Sequence, residues 1–104
     1  MDNRSKVISM IGMANRAQKV ISGEESLRQS IREKKVKLII IAEDASFNTK
    51  KRFSNCANYY GIPYYVYLSK DEFSISLGGR IRSVIGIADD NFTAYLEKLI
   101  CETV

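Results

Sequence analysis

The sequence has no histidine, a single proline and only two cysteines. Histidine is the commonest general base and metal ligand in proteins, so its absence argues against hydrolytic and metal-dependent chemistry. Cys56 and Cys101 lie far apart, whereas disulfide-rich secreted domains use more cysteines and metal sites space them closely. We interpret both cysteines as buried thiols on helix faces, and we expect no metal and no cofactor.

Long apolar runs are also missing. The longest run, Leu38 to Ala42, falls far short of the roughly 18 apolar residues that a membrane-crossing helix needs. The residues after the N-terminus are polar and lead into a segment broken by Gly12 and Asn15, which is unlike a secretory signal. We therefore expect a cytoplasmic protein with no membrane partner.

The residues that are present indicate one globular domain spanning residues 1–104. Of the 104 residues, 45% are hydrophobic and 27% are charged, which is ordinary for a soluble domain. There are 16 basic and 12 acidic residues, giving a net charge of +4. This balance favours an acidic partner, and where the basic residues lie in the fold decides whether they can form a binding surface for one.

Apolar residues alternate between helical and strand spacing along the chain, which is typical of an α/β domain. Helices are predicted over about residues 5–14, 22–33, 47–60, 69–77 and from 89 or 90 onward, and strands over 19–21, 36–42, 64–68 and 83–88. Ser22 with Glu25, and Ser69 with Glu72, match the capping-box pattern of helix starts. Gly61 is a predicted left-handed helix stop. The sequence predicts a three-layer α-β-α sandwich with a four-stranded mixed sheet.

The start of the second helix is the first candidate site. Free backbone N–H groups at a helix start can receive phosphate or base acceptors, and Gly23 lets another backbone approach closely. Helical spacing places Glu24 and Arg28 on one flank, with Glu25 and Arg32 slightly further round. A carboxylate can accept from a base amino group, and arginine can bind guanine O6 and N7 together. The alternative is a capped helix with a Glu24–Arg28 pair worth roughly a few tenths of a kcal/mol.

Three other groups of residues are weaker candidates. Basic residues gather at Arg32–Lys37 and at Lys50–Arg52, where they can neutralise phosphate or can simply be solvated. The loop Gly78–Ser83 carries Ile81 between two arginines, a pattern suited to packing on an unstacked base or to a flexible turn. No glycine-rich phosphate-binding motif occurs. We interpret the tyrosines as core and interface residues, and the acidic pairs that follow strands as helix caps.

Taken in order, four segments resemble the large-subunit ribosomal proteins that bind kink-turn RNA, of the L7Ae and L30e type, and above all their short bacterial members. These segments are Ser22–Arg28, Lys37–Ser46, Tyr59–Pro63 and Arg82–Ile87. The resemblance covers nearly the whole chain, and the joint pattern is more specific than any one segment.

The resemblance implies roles for particular residues. In that family an Asn-Glu-x-x-Lys pattern opens the second helix and contacts guanines of tandem sheared G·A pairs; the matching residues here are Glu24, Glu25 and Arg28. The loop of residues 42–46, which includes Glu43, and the loop of Ile81, Arg82 and Ser83 would flank the RNA. Glu24 departs from the family's amide or lysine, because it removes a donor and adds a negative charge. Arg28 keeps the positive charge.

The sequence thus predicts a non-catalytic protein that binds ribosomal RNA or another kink-turn RNA, with the ribosome as an expected context and no small-molecule substrate. Arg28 is predicted to be the main base contact and Glu25 a hydrogen-bond acceptor, with Arg32, Lys37 and Arg82 supplying charge for the phosphates. One alternative is a protein-interaction module that uses the tyrosine-rich strand and the third helix. Another is an RNA-recruiting partner of a modifying enzyme.

Overall fold

The structure, a computed structural model, describes residues 2–102. The elements in chain order are α1 (Asn3–Arg16), β1 (Val20–Ser22), α2 (Glu24–Arg32), β2 (Leu38–Ile41), α3 (Phe47–Tyr60), β3 (Tyr64–Val66), α4 (Lys70–Ser76), β4 (Val84–Ile87) and α5 (Asp90–Cys101). The predicted order of helices and strands is confirmed, and the boundaries differ by no more than two residues where specific limits were predicted. Across residues 2–102, no helix has both the length and the apolar character needed to span a bilayer.

The four strands form one sheet in the order β1-β4-β2-β3. Strand β4 runs antiparallel to both of its neighbours, whereas β2 and β3 are parallel. Consequently β1, β2 and β3 all end at the side of the sheet where β4 begins. The register pairs Ser22 with Ile85 and Ile41 with Val84. We call this side the carboxyl edge.

Helices cover both faces of the sheet and complete the predicted sandwich. Gly86 and its register partners Ile21 and Ile39 lie on the face that α2 covers, since Leu27 of α2 is next to Gly86. Helix α3 packs on β2 beside α2. The opposite face is covered by α1, α4 and α5: α1 packs against the other two helices, and Tyr65 reaches Glu97 of α5.

The core lies between the sheet and these helices. Every residue of β2 and of β4 is buried, as expected for aliphatic strands covered on both faces. The largest fully buried side chains come from both helix layers as well as from the strands: Ile11, Leu27, Ile31, Leu38, Ile39, Ile40, Ile41, Phe53, Leu68, Phe73, Ile85 and Ile87.

Side chains cap four of the five helices. Asp2, Ser46, Ser69 and Asp89 each accept a hydrogen bond from a backbone N–H in the first turn of the helix that follows. The capping box predicted for Ser69 and Glu72 is confirmed. Gly61 ends α3 in the left-handed conformation, with φ of 69°, as predicted.

The interpretation of both cysteines as buried thiols is wrong. Cys56 is half-buried and Cys101 is exposed, because Cys101 is the last residue of α5 and points away from the side that buries Ile100. The Cys101 thiol donates to the Tyr65 hydroxyl at 3.6 Å, and that hydroxyl donates to Glu97 at 2.9 Å. The hydrogen bond with Cys101, burial and the Glu97 carboxylate together raise the pKa of Tyr65.

Candidate nucleic-acid interface

The start of α2 differs from the other four helix starts because no side chain among residues 2–102 caps it. The capping box predicted at Ser22 is wrong: Ser22 is the last residue of β1 and is paired with Ile85, and Gly23 is the N-cap. Gly23 has φ of 92° and ψ of 128°, a conformation that side chains strongly disfavour. The first N–H groups of a helix have no acceptor within the helix. Those of α2 therefore remain available to a ligand at the carboxyl edge.

Gly86 sets how closely α2 lies on the sheet. A Cβ atom at Gly86 would fall well inside van der Waals contact of Leu27 Cδ1 and 3.2 Å from Val36 Cγ1. Both of these side chains are buried. The absence of a side chain at residue 86 therefore lets the helix pack directly on β4.

The outer flank of α2 carries four of the ten predicted site residues, Glu24, Glu25, Arg28 and Arg32. An open concavity of about 340 Å³ is lined by Glu24, Glu25, Arg28, Gln29 and Arg32. Arg28 is exposed and has neither an ion pair nor a side-chain hydrogen bond to any of residues 2–102. Its guanidinium group is therefore free to bind an external acceptor.

Glu24 does not pair with Arg28, so the alternative of an i,i+4 pair within α2 is wrong. Instead, its carboxylate accepts from Thr49 Oγ1 at 3.2 Å and from Arg52 Nη1 at 3.1 Å, both on α3. Thr49 is also hydrogen-bonded to the α3 cap, Ser46. The ion pair with Arg52 offsets the negative charge that Glu24 places near the start of α2.

The loop before β4 lies against the same helix start. The Ala42 N–H donates to the Ser83 carbonyl at 2.8 Å, which ties the two loops of the carboxyl edge together. Arg82 Nε lies about 4.0 Å from where a Cβ atom of Gly23 would be. This Nε is buried and has no hydrogen-bond partner among residues 2–102, while Arg82 Nη1 donates to the Ile81 carbonyl. Ile81 is 71% exposed and can pack on a ligand.

Glu43 lies at the carboxyl edge but is already paired within the protein. The Arg4 guanidinium donates to both Glu43 carboxylate oxygens, at 3.0 and 3.1 Å. It also pairs with Glu72 and lies over the Tyr67 ring, 5.3 Å from its centroid. Hydrogen bonds to Glu43 and Glu72 raise the pKa of Arg4. Arg4 thereby fixes the loop after β2 to the first turns of α1 and α4.

The Arg4 cluster predicts a loss of stability in acid. Burial acts to raise the pKa of Glu72, but hydrogen bonds from Arg4 and the Ser69 N–H outweigh it and hold the pKa below its usual value. The ionised carboxylate stabilises the fold above the unfolded-state pKa, and this contribution disappears as pH falls through the folded-state pKa. We expect Glu72→Gln to lower the free energy of unfolding by about 1 kcal/mol at pH 7, and by progressively less as the pH falls through the folded-state pKa.

Urea unfolding at a series of pH values measures this difference. Glu102→Gln is the matched control, because the Glu102 side chain forms no ion pair within residues 2–102. If the difference in free energy of unfolding between wild type and Glu72→Gln stayed constant as the pH was lowered from 7 to 3, the ionised Glu72 carboxylate would not be the stabilising group.

Not every predicted site residue comes to the carboxyl edge. Arg32 is the last residue of α2 but still lines the concavity. Lys37 lies at the opposite edge of the sheet, where its N–H donates to the Ile87 carbonyl. It is separated from Ala42 by the length of β2, roughly 16 Å. The structure therefore separates Lys37 from Gly23, Arg28 and Arg82.

Comparison with known proteins places these features in a family. The model of the "Ribosomal protein L7Ae/L30e/S12e/Gadd45 family" matches residues 5–95. The chain belongs to this family. It is similar to proteins called "RNA-binding protein YlxQ" from Enterococcus faecium, with 40% identity and coverage of 94% of each chain, and from Bacillus subtilis, with 38% identity and coverage of 88% and 91%.

Two solved structures resemble this member of the L7Ae/L30e/S12e/Gadd45 family in fold. A Bacillus halodurans protein described as having unknown function superposes with a TM-score of 0.88 at 32% identity, covering 92% of this chain and 97% of the other. A Giardia lamblia 15.5kD RNA binding protein gives a TM-score of 0.76 at 17% identity, covering 98% and 88%. At that lower identity the likeness shows the fold alone.

Sequence reasoning missed two residues that shape the site of this family member. In the sequence Arg52 is only one member of a basic cluster, yet it pairs with Glu24 in the structure. No sequence pattern marks Arg4, yet it holds Glu43. Both pairs join residues far apart in the chain, so helical spacing gives no signal for either; the unexpected acid at residue 24 was the only hint that a basic partner was needed.

Proposed function

We propose that this protein is a non-catalytic RNA-binding protein that recognises a kink-turn-like RNA through the carboxyl edge of its sheet. The observation that carries the proposal is the start of α2, which no side chain of residues 2–102 caps. Beside it lies the exposed Arg28, which forms no ion pair within the same residues. Family membership and the names of the bacterial relatives support RNA as the ligand. Ribosomal RNA or another kink-turn RNA in the cytoplasm is the expected target.

Each part of this edge has a distinct role in the proposed complex. The free N–H groups of α2 donate to phosphate oxygens or to base acceptors, and Arg28 makes two parallel hydrogen bonds to a guanine edge. The exposed Ile81 packs on an unpaired nucleotide, as apolar and aromatic side chains do in recognition of RNA loops and bulges. Arg82 adds charge beside Gly23.

Glu24 is compatible with this function because it is paired. An unpaired carboxylate at this position would repel phosphate, but Glu24 already accepts from Arg52 and Thr49. The ion pair is exposed at both ends, so it contributes little stability. In the proposed complex its main effect is to remove the repulsion while leaving Glu25 and Arg28 accessible.

The proposal is tested by comparing two RNAs that differ only at the kink. One is a kink-turn with tandem sheared G·A pairs, and the other replaces those pairs with Watson–Crick pairs. Titration at about 150 mM salt is expected to show tighter binding to the kink-turn by roughly 5- to 150-fold, the discrimination that a good base contact provides. Equal affinity for both RNAs, or no binding to either, would remove kink-turn recognition as the function.

A further inference from the structure

Helix α3 presents a polar and basic stripe on its outer surface. Asn48 is three and four residues from Lys51 and Arg52, which are four and three residues from Asn55, and Tyr59 follows four residues later; this spacing places all five along one side of a helix. All five are exposed, whereas Thr49, Phe53 and Ala57 are the buried residues of α3. We call these five residues the α3 stripe. It extends about 17 Å from Asn48 to Tyr59.

The α3 stripe has the charge that a polyanion requires. Residues 45–70 contain no acidic residue but include Lys50, Lys51 and Arg52. Most of the remaining side chains in the stripe are amides, which donate to phosphate and sugar oxygens. The carboxylate nearest to it in the hydrogen-bond network is Glu24, which is already paired with Arg52. The stripe is therefore complementary to an RNA backbone.

The far end of the α3 stripe carries an aromatic ring. Tyr59 is 83% exposed, and its ring packs edge to face on Tyr60, with centroids 4.9 Å apart. A single exposed aromatic residue needs no explanation. At the end of a basic and amide-rich stripe, however, such a ring is suited to stacking on a nucleotide base.

The α3 stripe is continuous with the proposed RNA site. The ion pair between Glu24 and Arg52 joins the first turn of α2 to the middle of α3 on the same face of the sheet. An RNA held at the carboxyl edge would therefore have its flanking strand within reach of Lys51 and Asn55. By contrast, the groove between α1 and α5 on the opposite face is lined by Met10, Met13, Tyr95 and Leu99 among other residues, and is much more apolar.

We infer that the α3 stripe is a second RNA-contact surface, which holds the strand flanking the kink by a phosphate contact to Lys51 and by stacking of a base on Tyr59. This inference rests on the proposed function, because only an RNA bound at the carboxyl edge would have its flanking strand beside the α3 stripe. It extends the RNA footprint beyond the kink to the adjoining arm.

Two RNAs test this inference: a minimal kink-turn, and the same kink-turn with its flanking arms extended by several nucleotides. Wild type is expected to bind the extended RNA more tightly. Tyr59→Ala is expected to weaken binding to the extended RNA about fivefold or more. Lys51→Ala is expected to reduce the slope of log K against log salt by about 0.7–0.9. Neither substitution should change binding to the minimal RNA.

Matched controls lie on the opposite face of the molecule. Tyr95→Ala and Lys98→Ala remove an exposed tyrosine and an exposed lysine of α5 and should leave both RNAs unaffected. Arg28→Ala should weaken binding to both RNAs, so failure of the proposed function is distinguishable from failure of this inference. If wild type binds the minimal RNA but the Lys51 and Tyr59 variants bind the extended RNA as tightly as wild type does, the inference is wrong.

Discussion

Arg28→Ala is expected to weaken binding of kink-turn RNA by about 1–3 kcal/mol, which is roughly 5- to 150-fold in Kd. Arg28 is exposed and has no side-chain partner within residues 2–102, so its removal should leave the melting temperature nearly unchanged. The loss of affinity would therefore come from a missing contact with the RNA and not from destabilisation of the protein. Titration of the variant against the kink-turn and its Watson–Crick counterpart, together with a thermal melt, measures both quantities.

Two further variants separate charge from geometry at this position. Arg28→Lys keeps the positive charge but loses the two parallel hydrogen bonds, so it should recover the salt-dependent part of the affinity and only part of the preference for the kink-turn. Arg16→Ala removes an exposed arginine from α1, on the other face of the sheet, and should bind like wild type. Wild-type affinity in Arg28→Ala would exclude Arg28 as the principal base contact.

The fold could be predicted from sequence because its signals are local. The aliphatic run from Leu38 to Ile41 is fully buried in the structure, and Gly61 followed by Pro63 marked the end of α3. The capping box at Ser22 failed for an equally physical reason. Ser22 and Glu25 match the local pattern, but pairing of Ser22 with Ile85 extends β1 by one residue, and this non-local contact decides where α2 begins.

The site could be predicted only in part, because its assembly depends on which strand ends lie at the same edge of the sheet. The strand directions bring Gly23, Ala42 and Ser83 to the carboxyl edge but leave Lys37 at the opposite edge. A basic residue close to a strand in sequence can lie at either end of it. Likewise, the partner of Glu24 is Arg52 on another helix, and helical spacing within α2 points to the wrong arginine.

Gly86→Ala is expected to destabilise the protein by about 1–3 kcal/mol, the usual cost of overpacking a well-packed core. The added methyl group would overlap Leu27 Cδ1 and crowd Val36, and both of these side chains are buried. Leu27 must change its rotamer or α2 must move outward. For a chain of this size, the melting temperature should fall by roughly 4–8 °C for each kcal/mol. Because α2 carries Arg28, affinity for kink-turn RNA should fall as well.

Gly12→Ala is the matched control, since it makes the same chemical change inside α1. Apart from the adjacent residues and the backbone of α1 itself, a Cβ at Gly12 would have no neighbour among residues 2–102 nearer than 3.8 Å. Alanine there should therefore stabilise the protein by about 0.5–1 kcal/mol through its better helix propensity. In Gly86→Ala combined with Leu27→Ala, the new methyl group occupies part of the space that leucine leaves. The double variant should therefore be less destabilised than the sum of the two single changes. Additive free energies of unfolding would mean that residue 86 does not set the position of α2, and any loss of RNA affinity in Gly86→Ala would then need another cause.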